Sequence, residues 1–163
     1  MRWASWSAFC VLACSSSPAK PGADGGAAPS CQVATPCNDL VATGSALMPT
    51  CSPTTAPALV GGTIAPGTYR LTAAMFYGDC TDLSQPPDGP TVFSFGASCA
   101  DSADPQDGAE NFSWSTSGNE LTLTRVCPSA QTTAGAYSSS NGQLSLLVGS
   151  DPDLQLVAVF TAE

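Results

Sequence analysis

The stretch NFSWSTSGNELTLTRVC, residues 111–127, reads as two short strands around a turn. Ser117-Gly118-Asn119 breaks it in the middle with residues that favour turns. Pairing Thr116 with Leu121 sets Trp114 opposite Leu123 and Phe112 opposite Arg125. Side chains alternate across a strand, so all of these fall on one face, and the register is self-consistent. Arg125 then points inward beside Leu121 and Leu123. A buried guanidinium must be paired. It is expected to lie on Phe112 or Trp114 as a cation–π contact, or to meet a carboxylate at the barrel end.

The same pattern extends in both directions. Residues 132–139 and 143–148 flank Asn141-Gly142, the strongest short hairpin signal, because a type I′ turn needs positive φ at both central residues. That turn predicts Tyr137 opposite Leu146 and Ser139 opposite Leu144. Residues 154–161 are apolar on both faces and predict a strand covered on both sides. Upstream, residues 67–77 alternate, with Tyr69, Leu71, Ala73, Met75 and Tyr77 on one face. Residues 91–95 form another run between Pro90 and Gly96. These runs predict an all-β domain of about seven to eight strands in up-and-down order. A small antiparallel barrel removes the edges of such a meander. A β-sandwich is the alternative, and it requires strands to skip their neighbours.

Residues 31–60 form a cysteine-bearing lead segment, and residues 61–163 the barrel domain. Thr35-Pro36 resembles a helix N-cap followed by Pro at the first helical position, which predicts a short helix over 36–43. Residues 14–30 are almost all Ser, Pro, Ala and Gly, too polar and too small to bury a core. They read as a disordered tether.

Met1 to Ala13 is a short apolar stretch with Arg2 as its one charge, too short to span a bilayer, and reads as a signal peptide. It ends in Val11-Leu12-Ala13-Cys14, which resembles the lipobox of bacterial lipoproteins. The resemblance implies cleavage before Cys14, acylation of its thiol and anchoring in the cell envelope. Ser15 in the next position implies the outer membrane. Within the domain, Gly61-Gly62-Thr63-Ile64-Ala65-Pro66-Gly67-Thr68-Tyr69-Arg70-Leu71-Thr72 is similar to a G-G-x-I-x-x-G-x-Y-x-L-T pattern of lipocalin-like envelope lipoproteins. Val157-Ala158-Val159-Phe160-Thr161 resembles their closing strand. This resemblance implies a lipocalin-like barrel, and no catalytic residues carry over from it.

Charge narrows the partners. The chain carries 4 Lys and Arg against 13 Asp and Glu. Nucleic acid and anionic lipid surfaces need clustered cations, so neither is an expected partner. There are 0 histidines, which excludes Ser-His-Asp and Cys-His nucleophiles and every His-ligated metal. No cofactor, metal or enzymatic activity is expected. Asp101, Asp104, Asp107 and Glu110 recur every third residue, but not at EF-hand spacing, and read as a solvated acidic loop. If strands alternate strictly, the loops at 97–109, 128–132 and 149–153 share one pole. That pole then gathers Asp101, Asp104, Asp107, Asp151 and Asp153.

Beyond Cys10 and Cys14, six cysteines remain: Cys31, Cys37, Cys51, Cys80, Cys99 and Cys127. An even number in an exported domain implies disulfides. The same strict alternation favours Cys99 with Cys127. It leaves Cys80 to pin the lead segment through Cys31, Cys37 or Cys51, with the other two joined to each other. Tyr69, Met75, Tyr77, Phe112, Trp114, Arg125 and Tyr137 are the expected lining of the interior. Two functions follow. One is a non-enzymatic lipid-anchored envelope protein with a small apolar ligand inside the barrel. The other is a structural or protein-interaction lipoprotein with a filled core. A void of roughly 300 Å3 or more separates them.

Overall fold

The computed structural model describes residues 31, 36–79, 89–148 and 154–163. The signal segment, Cys14, the tether, Cys80, Asp151 and Asp153 lie outside the described residues. The strands are β1 (Thr50–Ser52), β2 (Gly67–Gly78), β3 (Val92–Phe95), β4 (Cys99–Asp104), β5 (Gly108–Ser117), β6 (Glu120–Cys127), β7 (Gln131–Ser140), β8 (Gln143–Val148) and β9 (Leu154–Ala162). From β2 to β9 each strand pairs antiparallel with the next, and β9 pairs back onto β2. The result is a closed eight-stranded antiparallel barrel with one extra strand. That extra strand is β1, which runs parallel to β2 along Met75–Tyr77.

Both hairpin registers agree with the sequence pattern. Thr116 pairs with Leu121, Trp114 with Leu123 and Phe112 with Arg125. Tyr137 pairs with Leu146 and Ser139 with Leu144. The turn between β7 and β8 has Asn141 at φ 51° and Gly142 at φ 74°, as a type I′ turn requires.

Three features depart from the simple alternation. First, β4 occupies much of the segment expected to be a loop, so residues 97–109 do not sit at one pole. Asp101 lies on a strand opposite Asn111, not in an end loop. Second, Thr72 is an extra residue on β2: Leu71 faces Phe160, whereas Ala73 faces Val159. One inserted residue reverses every side chain beyond it. Ala74 and Phe76 therefore share a face with Ala158 and Leu156, and Met75 and Tyr77 turn to the other side. Third, Val126 is extra on β6, where Asn111 faces Cys127 and Phe112 faces Arg125. Cys127 is thereby thrown outward, off the face of Arg125.

The expected helix over 36–43 is absent. Pro36 to Val41 instead lies across the outer face of β4–β5–β6. Cys37 is bonded to Cys127, and the Asn38 Oδ1 takes the backbone N–H of Leu40 at 2.9 Å. The Asn38 amide donates to the carbonyls of Ser102 at 3.1 Å and Glu110 at 2.8 Å, and to Asn111 Oδ1 at 3.0 Å. Asn111, fully buried, donates back to the Cys37 carbonyl at 2.5 Å. Side-chain bonds of Asn to nearby backbone compete with helix, and here they prevail.

The disulfides correct the expected pairing. Cys31 bonds Cys99, Cα atoms 5.2 Å apart, and Cys37 bonds Cys127 at 5.7 Å. Cys51 is disulfide-bonded as well. Cys31 and Cys37 are thus not joined to each other. Cys99–Cys127 fails on geometry. β5 stands between β4 and β6, so those strands are about 9.5 Å apart, beyond the roughly 7 Å reach of a disulfide. Both bridges instead clasp the lead segment to the sheet, and the expected disulfide-tied N-terminal segment is present.

Candidate functional site

Two halves of the barrel interior differ. At one end, Gly61-Gly62 passes beneath β7 and the Ser117–Glu120 turn. Gly61 exchanges backbone bonds with Tyr137 and Ser139 at 2.7 and 2.9 Å. Tyr137 Oη donates to the Gly62 carbonyl at 2.6 Å, and Ser139 Oγ to that of Thr63 at 2.9 Å. Both glycines have positive φ, and a Cβ on either would come under 3.0 Å from a backbone carbonyl oxygen, of Gly118 or Ser139. The segment can approach this closely only because it lacks side chains there. Ile64, 5% exposed, then plugs the end. Around it pack Tyr69, Phe95, Trp114, Tyr137 and Leu144. Phe95 meets Tyr69 and Trp114 edge to face, with ring centroids 5.7 and 5.5 Å apart. Tyr69 Oη donates to the Ala65 carbonyl at 2.9 Å. Burial pushes the Tyr69 pKa above its ordinary 10.0, and that bond partly opposes the shift. This end is a filled core, and each fully buried ring or Leu contributes roughly 1.5–3 kcal/mol.

The other half holds a cavity of about 630 Å3 that opens toward the end where β4 meets β5. Its walls are Leu71, Phe93, Phe112, Leu121, Leu123, Leu146, Leu156, Ala158 and Phe160. Phe93 bridges the two halves, stacked on Phe95 at 5.7 Å and edge-on to Phe160 at 5.3 Å. The volume has a structural cause. Small residues stand on the neighbouring wall, with Ala134, Gly135 and Ala136 on β7. A Cβ on Gly135 would come under 3.0 Å from the Leu147 carbonyl oxygen, so that strand approaches β8 closely and presents no bulk.

Polar residues gather at the mouth: Thr91, Ser102, Asp104, Gln106, Asp107 and Glu110. Asp104 organises the turn. Its Oδ1 accepts the backbone N–H of Gln106 at 2.7 Å and of Asp107 at 3.2 Å, and its Oδ2 accepts Thr91 Oγ1 at 2.6 Å. Asp104 and Asp107 thus lie at the end that the strand order implies, together with the β6–β7 turn. Arg125 is paired by a carboxylate: it bridges Glu110, donates Nε to the Ser129 carbonyl at 2.9 Å, and donates Nη2 to Gln131 Oε1 at 2.5 Å and Ser129 Oγ at 3.3 Å. No ring takes the guanidinium.

Of the expected lining residues, Phe112 alone lines the cavity. Tyr69, Trp114 and Tyr137 are interior but belong to the filled end. Arg125 is interior and consumed by its partners. Met75 and Tyr77 are turned away by the bulge at Thr72. The principal walls that were missed, Phe93, Phe160 and the leucines, stand on strands whose alternation was already visible. Their registers place Leu121, Leu123 and Leu146 beside Phe112 and Trp114. Among the described residues, no three His, Cys, Asp or Glu side chains converge on a point that could hold a metal. No protein-family model, curated protein or solved structure matches this chain.

Proposed function

We propose that the protein is a non-enzymatic, lipid-anchored protein of the bacterial envelope whose barrel holds a small apolar ligand. The cavity carries this reading. Its volume of about 630 Å3 lies within the range of small-molecule sites, and its walls are mostly apolar, Leu and Phe above all. A structural lipoprotein with a filled core has no use for such a space, which forgoes packing contacts along its whole lining. The anchor rests on Val11-Leu12-Ala13-Cys14, and the disulfides of the lead segment fit the oxidising compartment that such an anchor implies.

Native mass spectrometry of the protein purified from its host membrane tests the ligand. A retained mass that leaves on denaturation is the expected result. An apo mass alone, in a preparation that also fails to take up apolar probes, refutes the reading.

A further inference from the structure

We propose that the cavity selects a single-chain amphiphile with a cationic headgroup, and excludes the anionic headgroups of fatty acids. The inference rests on the ligand-binding reading above and adds the charge of the ligand to it. The cavity walls accept any apolar chain, so discrimination must come from the mouth. There Asp104, Asp107 and Glu110 stand within one lining. The cation nearest them is Arg125, and it is not free: Glu110, Ser129 and Gln131 take its donors, and it does not line the cavity. The rim therefore keeps an excess of carboxylate. Among the described residues the other cation is Arg70. It pairs with Glu163 at 2.5 Å and donates Nη1 to Thr43 Oγ1 at 2.9 Å, on the outer face that its partner Val92 shares.

Charges of one sign around a low-dielectric cleft focus the field and concentrate counter-ions there. A carboxylate or sulfate headgroup seated at this mouth would meet acids with no free cation among the described residues that line it. A quaternary ammonium or primary amine would meet Asp107, which is exposed, and Asp104, whose oxygens hold neutral donors that leave its charge uncompensated. The tail would extend along Phe93, Phe112 and Phe160 toward the floor made by the filled half.

The test compares three dodecyl amphiphiles with the purified protein below their micelle concentrations. They are a trimethylammonium, a sulfate and an uncharged maltoside, followed by calorimetry or dye displacement. The ammonium is expected to bind at least about tenfold more tightly than the sulfate at low salt, with the maltoside between. Raising the ionic strength to about 0.5 M should shrink that ratio, because rim charges are screened. Lengthening the chain should tighten all three by about fourfold per methylene. Asp107→Asn should reduce the ratio of ammonium to maltoside affinity by about twofold to fivefold. Equal affinity for the three headgroups, or a preference for sulfate, overturns the charge assignment and leaves the apolar cavity standing. An unchanged preference in Asp107→Asn overturns it as well. Failure of all three to bind overturns the ligand-binding reading along with it.

Discussion

Gly62→Ala is the sharpest perturbation of the closed end. The residue has φ +126°, and an added Cβ would come under 3.0 Å from the Ser139 carbonyl oxygen. That oxygen belongs to β7, where Ser139 is held by its pairing with Leu144 of β8, so the relief falls mainly on the glycine segment. An L-residue at this φ costs about 1–3 kcal/mol. Relief of the clash moves the 61–63 segment away from β7. It weakens the bonds from Tyr137 Oη to Gly62, from Ser139 Oγ to Thr63 and from Ser139 N to Gly61, each worth about 1 kcal/mol. Partial loss of these brings the total to about 3–5 kcal/mol. With a urea slope near 2 kcal/mol/M, the midpoint should fall by about 1.5–2.5 M. Gly67→Ala is the internal control. It has φ +147°, and nothing lies within 4 Å of an added Cβ. It should cost only the backbone strain, about 2 kcal/mol less than Gly62→Ala. Equal losses in the two variants, or a loss below about 1 kcal/mol in Gly62→Ala, would refute the close approach of this segment to β7.

Three other outcomes are expected, the last of them resting on the sequence resemblance at Cys14 alone. Non-reducing peptide mapping should find Cys31 with Cys99 and Cys37 with Cys127, and Cys37→Ser with Cys127→Ser should lower stability by roughly 2–4 kcal/mol; a Cys99–Cys127 peptide would contradict the strand order. The Tyr69 phenol is held protonated above its ordinary range, so the folded state binds more protons than the unfolded state once pH exceeds about 10. Stability should therefore decline as pH rises past that point, and Tyr69→Phe should flatten the decline while losing about 1 kcal/mol at neutral pH; an unchanged alkaline slope would contradict this. Cys14→Ser should abolish labelling by a fatty-acid analogue and release the protein from membranes or leave an uncut precursor, whereas equal labelling of variant and wild type would remove the anchor.

Turn chemistry made much of the fold legible. Asn141-Gly142 and Ser117-Gly118-Asn119 each fix a register, and a register fixes which side chains share a face. Up-and-down closure followed from adjacent hairpins. What escaped was set by tertiary structure. β4, with the sequence CADSAD, carries two acids and no large apolar residue, so no periodicity marks it. It is buried through Ala100, Ser102 and Ala103, all small residues. The bulges at Thr72 and Val126 leave no local signature, yet each inverts the side chains beyond it. One misplaced Met75 and Tyr77, and the other gave Cys127 a partner in the lead segment. Missing β4 put Cys99 in an end loop at the pole of Cys127, whereas it opens a strand opposite Ser113 while Cys127 stands opposite Asn111. The interior face of Phe112 and Trp114 was legible, but its division into a filled and an open half was not. That division depends on Ile64 and the glycine segment closing one end, and on the small residues of β7 leaving space at the other.

Ligand binding requires that an apolar molecule enter the barrel. The direct measurement is an NMR titration of the labelled protein with an uncharged medium-chain alcohol, following methyl and aromatic signals. Saturable shifts are predicted at Leu71, Leu121 and Leu146 and at the rings of Phe93 and Phe160, which share the cavity. Val41 and Val60, exposed outside the barrel, should not move. Shifts confined to those outer residues, or none at the cavity walls at the solubility limit of the alcohol, would contradict it.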